Sequence, residues 1–152
     1  LEQTLIPEAR TTREALLKAG EAGIKRSVMI LNGLGGRSLT AQHAVNSARL
    51  INATQPEYLA TLVVSFPRGM ERFKARYPDF EPLDQRGLFE EMERFLSELE
   101  LESTIFRSDH ASNYLVLKGV LNKDKERLLA QVRTAIEAPE LANLRPEWMR
   151  AL

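Results

Sequence analysis

The sequence has no cysteine and only two histidines in 152 residues. Without a thiol, disulfides, thiolate metal sites and a cysteine nucleophile are excluded within these residues, and the lack is in keeping with a reducing compartment, the cytoplasm. Charge of one sign is missing too: 21 Lys and Arg cancel 21 Asp and Glu. No overall field therefore draws the chain to nucleic acid or acidic lipid. No apolar run comes near the roughly 18 residues that a membrane helix requires, and no signal peptide is recognisable. Specificity has to come from a local site on a single domain, for which 43% apolar residues provide a core.

What is present reads as alternating helices and strands. Thr11 or Thr12 can cap a helix through Ala22, with Ala15, Leu16 and Ala19 as its apolar stripe and Gly23 as a left-handed stop. Ile24 to Leu31 then forms a short apolar run ending at Gly33, Gly35 and Gly36, the pattern of a buried parallel strand. Ser38 or Thr40 offers an N-cap for a second helix, whose buried face is Ala41, Ala44, Val45, Ala48 and Ile51, closed by Pro56. A second strand is expected in "YLATLVVSF", Tyr58 to Phe66, and a strand–helix–strand unit of this length is parallel.

Past Pro67 the pattern loosens into a connection rich in aromatic, basic and proline residues. A long helix follows from about Asp84 to Leu99, with Leu88, Met92, Phe95, Leu96 and Leu99 at helical spacing. Glu102 to Arg107 suits one more strand, "SDHASNYLVLKG" leads over, and a last helix runs from about Asn122 to Glu137 on Leu128, Leu129, Val132 and Ile136. Lys123, Lys125 and Arg127 read as solvated, and Trp148 as docking or fraying with the tail. The fold class is α/β. The opening at Leu1 rather than Met, in a polar stretch of helical character, is what a piece of a longer chain would show.

The turn after the first strand is the natural place for a ligand, because backbone N–H groups converge at the carboxyl end of parallel strands. A dinucleotide fingerprint needs G-x-G-x-x-G, and Gly33-Leu34-Gly35-Gly36-Arg37-Ser38 puts serine in the third glycine place. No G-K-[ST] phosphate loop is present either. Spacing alone leaves a nucleotide turn and a plain tight turn both open.

Longer stretches add to this. "AGIKRSVMILNGLGG" before a helix resembles the fifth strand and turn of radical S-adenosylmethionine (SAM) enzymes, patterned G-x-I-x-G-x-x-E, with Leu31 in the isoleucine place and Gly33 as the second glycine. Met29 replaces the first glycine and Gly36 the glutamate. "FPRGMERFKARYPDFEPL" resembles the stretch after the sixth barrel strand in a group of radical SAM iron–sulfur oxidoreductases, and "TIFRSDHASNYLVLKGVLNKDKERLL" is similar to that group's C-terminal signature. The resemblance spans about residues 10 to 137.

It implies a partial (β/α)6 barrel of TIM type with a C-terminal strand–helix extension. Residues 1–82 would be the last βα units, and 83–152 the extension packed on them. The family holds a 4Fe–4S cluster on a C-x3-C-x2-C loop, and that loop has no counterpart here. The chain would then be the C-terminal half of an enzyme. Leu31, Gly33, Gly35, Val64 and Ser65 would form part of the SAM wall, the cluster and part of the substrate site would lie with the missing half, and an electron donor would be a further partner. Such a segment would be inactive alone, and its exposed strand edge predicts self-association.

The candidate reactive group is His110, crowded by Arg107, Asp109, Ser112, Asn113 and Tyr114. Histidine titrates near neutrality, so His110 with Asp109 and Asn113 could orient a substrate or relay a proton; the other reading is a loop whose polar groups satisfy one another. His43 falls off its helix's apolar stripe and reads as exposed and structural. Two histidines so far apart, with no supporting carboxylate spacing, make a poor metal site. Arg68, Arg72, Lys74 and Arg76 read either as contacts to an anionic ligand or, by preference, as a solvated connector over Phe73, Tyr77 and Phe80. Ser65, Asp109 and His110 lack the G-x-S-x-G elbow of a hydrolase. The alternative to the radical enzyme is a small non-catalytic α/β domain that binds a nucleotide or a protein.

Overall fold

The computed structural model describes residues 7–150, so the helical character expected of the first six residues lies outside the described residues. The elements in order are α1 (Pro7–Glu21), β1 (Ser27–Asn32), α2 (Gly36–Thr54), β2 (Tyr58–Val63), α3 (Met70–Arg76), α4 (Gln85–Glu98), β3 (Thr104–Ser108), β4 (Leu117–Leu121) and α5 (Lys125–Glu137). Two short 3-10 turns, Pro139–Leu141 and Glu147–Met149, complete the tail. The sheet order is β1-β2-β3-β4. β1, β2 and β3 are parallel, and β4 returns antiparallel to β3. The expected α/β class is what the chain adopts, as an open, mostly parallel sheet.

Most expected elements are present with shifted ends. α1 (Pro7–Glu21) is already helical ahead of Thr11 and Thr12, so neither threonine is its cap. α2 starts at Gly36 with Gly35 as an uncapped first residue, so neither Ser38 nor Thr40 is its N-cap; Thr40 bonds elsewhere. It ends before Pro56, at Gln55 in the left-handed region (φ 45), whose N–H donates to the Ile51 carbonyl. Ala44, Ala48 and Ile51 are buried as expected, whereas Ala41 is exposed. α4 follows its pattern closely: Asp84 caps it by accepting from Gly87 N–H at 2.8 Å, and the whole expected stripe is buried.

Two elements escaped the sequence reading. α3 is a seven-residue helix inside the loose connection. β4 hides in "LKGVL", where Leu117 and Leu121 face the core while Lys118 and Val120 face out, a period of two interrupted by Gly119. Lys125 also departs from expectation, since its ammonium donates to the carbonyls of Ser97 and Leu99, both at 2.7 Å, and closes the end of α4.

The core lies on one side of the sheet, where α2 packs on α4 and α4 on α5. Ile51, Leu59, Phe95, Leu96, Phe106, Leu117, Leu128 and Val132 are all under 2% exposed. Among the described residues no helix lies over the other side. Met29 (67% exposed), Leu31 (42%) and Val120 (37%) face outward there, with Tyr58, Ala60, Leu62 and Ile105 in register between them. At the amino end of the sheet Arg26 acts as a latch. Its guanidinium donates to the carbonyls of Leu16, Thr54 and Gln55 and to both carboxylate oxygens of Glu57. One residue thereby ties α1, the end of α2 and the start of β2.

Among the described residues no helix is long and apolar enough to cross a membrane.

Candidate functional site

The carboxyl end of the sheet carries the glycine turn, and several of its amides are already engaged. Gly33 N–H donates to the Glu91 carboxylate at 2.7 Å, Gly36 N–H to the Gly33 carbonyl at 3.0 Å, and Arg37 N–H to the Glu81 carbonyl at 2.9 Å. A phosphate cradle needs such donors pointing at open space. Here they fasten the turn to α4 and to the segment before it, which favours the plain-turn reading over a nucleotide.

The glycines serve that fastening. Gly33 (φ +84) and Gly36 (φ +61) take backbone conformations that side chains disfavour. A Cβ on Gly36 would sit 2.8 Å from the Glu81 carbonyl oxygen, and one on Gly33 would meet Leu88 and Val64. Gly35 likewise packs against His43 and the Leu39 carbonyl.

Glu91 is the centre of this arrangement and was not foreseen. It is 4% exposed and accepts from Gly33 N–H and, at 2.7 Å, from the Thr40 hydroxyl. His43 Nδ1 stands 3.4 Å from the same carboxylate without hydrogen-bond geometry, so His43 is half-buried beside an acid rather than exposed. The signal was in the sequence: Glu91 lies between Leu88 and Met92 in the apolar stripe of α4, where a lone acid is out of place.

Of the residues placed at a SAM wall, Leu31 and Ser65 are exposed, while Gly33 is buried and Gly35 is packed inward. Val64 N–H donates to the Asn32 carbonyl at 2.9 Å, which brings the ends of β1 and β2 side by side. Leu31, Val64 and Ser65 thus share one edge of the sheet, and the two glycines belong to its foundation.

The His110 loop closes on the same edge. β3 pairs with β2 only from Tyr58 to Ala60. Beyond that point side chains take the place of a strand: Asn113 Nδ2 donates to the Thr61 carbonyl at 2.8 Å, and Ser112 Oγ accepts from Val63 N–H at 3.1 Å. Asn113 and Ser112 are both 3% exposed, so Asn113 completes the sheet rather than facing a ligand.

His110 is exposed, and its orientation is set by Ser112. Ser112 N–H donates to His110 Nδ1 at 3.2 Å, and Ser112 Oγ lies 2.9 Å from the same nitrogen. A backbone N–H only donates, so Nδ1 is an acceptor here and the ring's remaining nitrogen, Nε2, carries the hydrogen. Asp109 does not touch that ring: it pairs with Lys118 at 3.0 Å, and the hydrogen bond from Lys118 holds its carboxyl below the usual carboxylate range.

The tail straps this loop down. Arg145 donates to the carbonyls of Asp109, His110 and Asn113, and Arg150 to that of Ser112. The Arg150 guanidinium also lies 3.7 Å from the centre of the Tyr114 ring, a cation–π contact. Burial raises the Tyr114 phenol above its ordinary value, and its hydrogen bond to Glu147 adds to the effect. Trp148 stays 82% exposed, so the tail docks by its arginines and not by its indole.

A cavity of only about 20 Å³ is lined by Asn32, Val63 and Asn113 along with Phe89 and Met92. Among the described residues no group of three or more His, Cys, Asp or Glu could hold a metal.

No family model matches the sequence, and neither a curated protein nor a solved structure is significantly similar to it.

Proposed function

We propose that this chain is the C-terminal part of a cytoplasmic radical SAM iron–sulfur oxidoreductase. β1 and β2 would be the fifth and sixth strands of a partial (β/α)6 barrel, and the chain from residue 83 onward its extension. The observation that carries the reading is the uncovered sheet face. In a closed α/β barrel the side of the strands away from the helices points into the lumen, and that is the side on which Met29, Leu31 and Val120 are exposed. The signature-like run from Thr104 to Leu129 adds to it.

The residues present do not fit an iron–sulfur cluster, because the sequence offers no thiolate. Leu31, Val64 and Ser65 suit one apolar side of a flat adenine ring. The exposed His110, on the same edge, would offer its Nε2–H as a donor to a substrate. Substrate selection would be shared with the remainder of the enzyme, and the electron donor would be a separate partner.

The test begins upstream of Leu1: the reading frame is expected to encode C-x3-C-x2-C. The joined chain, reconstituted anaerobically with iron and sulfide, should cleave SAM, and residues 1–152 alone should not. A start codon directly before Leu1 with no such motif, or a full-length protein that never cleaves SAM, overturns the reading. A second reading, a non-catalytic domain whose sheet face takes a protein partner, is favoured by the engagement of Ser112 and Asn113 in structure.

A further inference from the structure

A cavity of about 600 Å³ lies away from the His110 loop, between the glycine turn and α3. Its walls are Leu34 and Leu39 on one side and Phe73, Tyr77 and Phe80 on the other. Leu39 is 52% exposed and Tyr77 58%, so both keep apolar surface open to a ligand. The volume is within the range of small-molecule sites, roughly 300–1,000 Å³, which are typically apolar with a few placed polar groups.

The walls are held before any ligand arrives. Phe73 sits at the hub of an aromatic cluster, with ring centroids 4.7 Å from Phe66, 4.9 Å from Tyr77 and 4.9 Å from Phe80. The opposite wall is fixed to this one, because Arg37 N–H donates to the Glu81 carbonyl and Gly36 packs on the Phe80 ring. A plain solvated connector would not need such a rigid apolar recess.

Charge selects the occupant. Arg76 and Asp79 line the cavity, and neither side chain has an ion-pair or hydrogen-bond partner among the described residues. Residues 67–80 carry four cations, Arg68, Arg72, Lys74 and Arg76, against two carboxylates, Glu71 and Asp79. An arginine guanidinium suits a carboxylate or sulfonate by paired hydrogen bonds and stacks on aromatic faces. We infer that this cavity is a binding site for a small planar aromatic molecule carrying a negative charge. The ring would lie between Leu39 and Tyr77, and the anion would meet Arg76. This inference stands apart from the radical SAM reading and does not depend on it.

The probe is 8-anilinonaphthalene-1-sulfonate, a fused aromatic with one sulfonate, titrated by fluorescence into the whole chain. One saturable site is expected. Arg76→Glu, an exposed change that leaves the core alone, should weaken binding about tenfold, the loss of one good charged contact, and Leu39→Glu at least as much. Asp79→Asn should tighten binding, since it removes a repelling carboxylate. Met29→Glu, on the open sheet face, should change it less than about twofold. The inference is overturned if Met29→Glu abolishes the signal while Arg76→Glu and Leu39→Glu leave it intact, which would move the dye to the sheet. Weaker binding in Asp79→Asn would equally overturn the anionic assignment, pointing to a ligand that carries a cation.

Discussion

Replacing Glu91 with alanine should loosen the glycine turn from α4, and the cost can be worked from its contacts. The buried Gly33 N–H loses a charge-assisted bond of 2.7 Å, worth about 1.5–3 kcal/mol. The Thr40 hydroxyl, half-buried, loses its bond of 2.7 Å, worth about 0.5–1.5 kcal/mol, since it can turn toward water. Removing the carboxylate also removes its own desolvation cost, which holds the net loss near about 3 kcal/mol. For a domain of this size that lowers Tm by roughly 6–12 °C. Glu91→Gln keeps an oxygen for Gly33 N–H and can turn its amide to the Thr40 oxygen, so it should lose only about 1 kcal/mol. Urea unfolding of both variants gives the ordering, and hydrogen exchange at the Gly33 amide gives the local readout: protection should drop in Glu91→Ala and persist in Glu91→Gln. Equal stability of the two variants, or unchanged protection in the alanine form, would refute the clamp.

Two further expectations concern the ends of the sheet. Asn113→Ala strands the Thr61 carbonyl and should cost about 1–3 kcal/mol by denaturant unfolding; a change below about 0.5 kcal/mol would return Asn113 to the pool of ligand-facing residues. At the opposite end, the hydrogen bond from Arg26 lowers the Glu57 carboxyl from 4.5 to about 2. A depressed carboxylate stabilises the fold above its unfolded value, and that contribution is lost as pH falls from about 4.5 through about 2. Glu57→Gln should therefore be less stable than the wild type at pH 7, with the gap closing on acidification. A gap unchanged between pH 7 and pH 2.5 would show that the Glu57 charge contributes nothing.

The sequence made the parallel strands and the buried stripe of α4 legible because each rests on local periodicity: Leu88, Met92, Phe95 and Leu96 repeat at helical spacing wherever the rest of the chain goes. β4 was hidden since Lys118 and Gly119 dilute a five-residue pattern whose partner is close in space but whose signal is weak. Polar residues were the least readable. Ser112 and Asn113 look alike as ligand groups and as substitutes for backbone, and only the early end of the β2–β3 pairing decides between them. Lys125 and Thr40 read as surface and cap residues because their acceptors, on Ser97, Leu99 and Glu91, are distant in sequence. The aromatic connector was legible as apolar beneath and charged above, but the recess it makes with Leu34 and Leu39 needs two segments brought together by the crossover.

The reversal of β4 gives the sheet two unlike margins. A parallel barrel propagates by adding strands of one direction, each with its own crossover helix, and β4 runs against that direction, so it ends the series as a seam. β1 keeps the common direction and has a strand on one side only. Among the described residues β4 too has a strand on one side only, so both margins are open, but Ser27–Asn32 alone offers an added strand the direction shared by β1, β2 and β3. A charged substitution on that strand should therefore weaken pairing at its own margin and leave the β4 margin untouched.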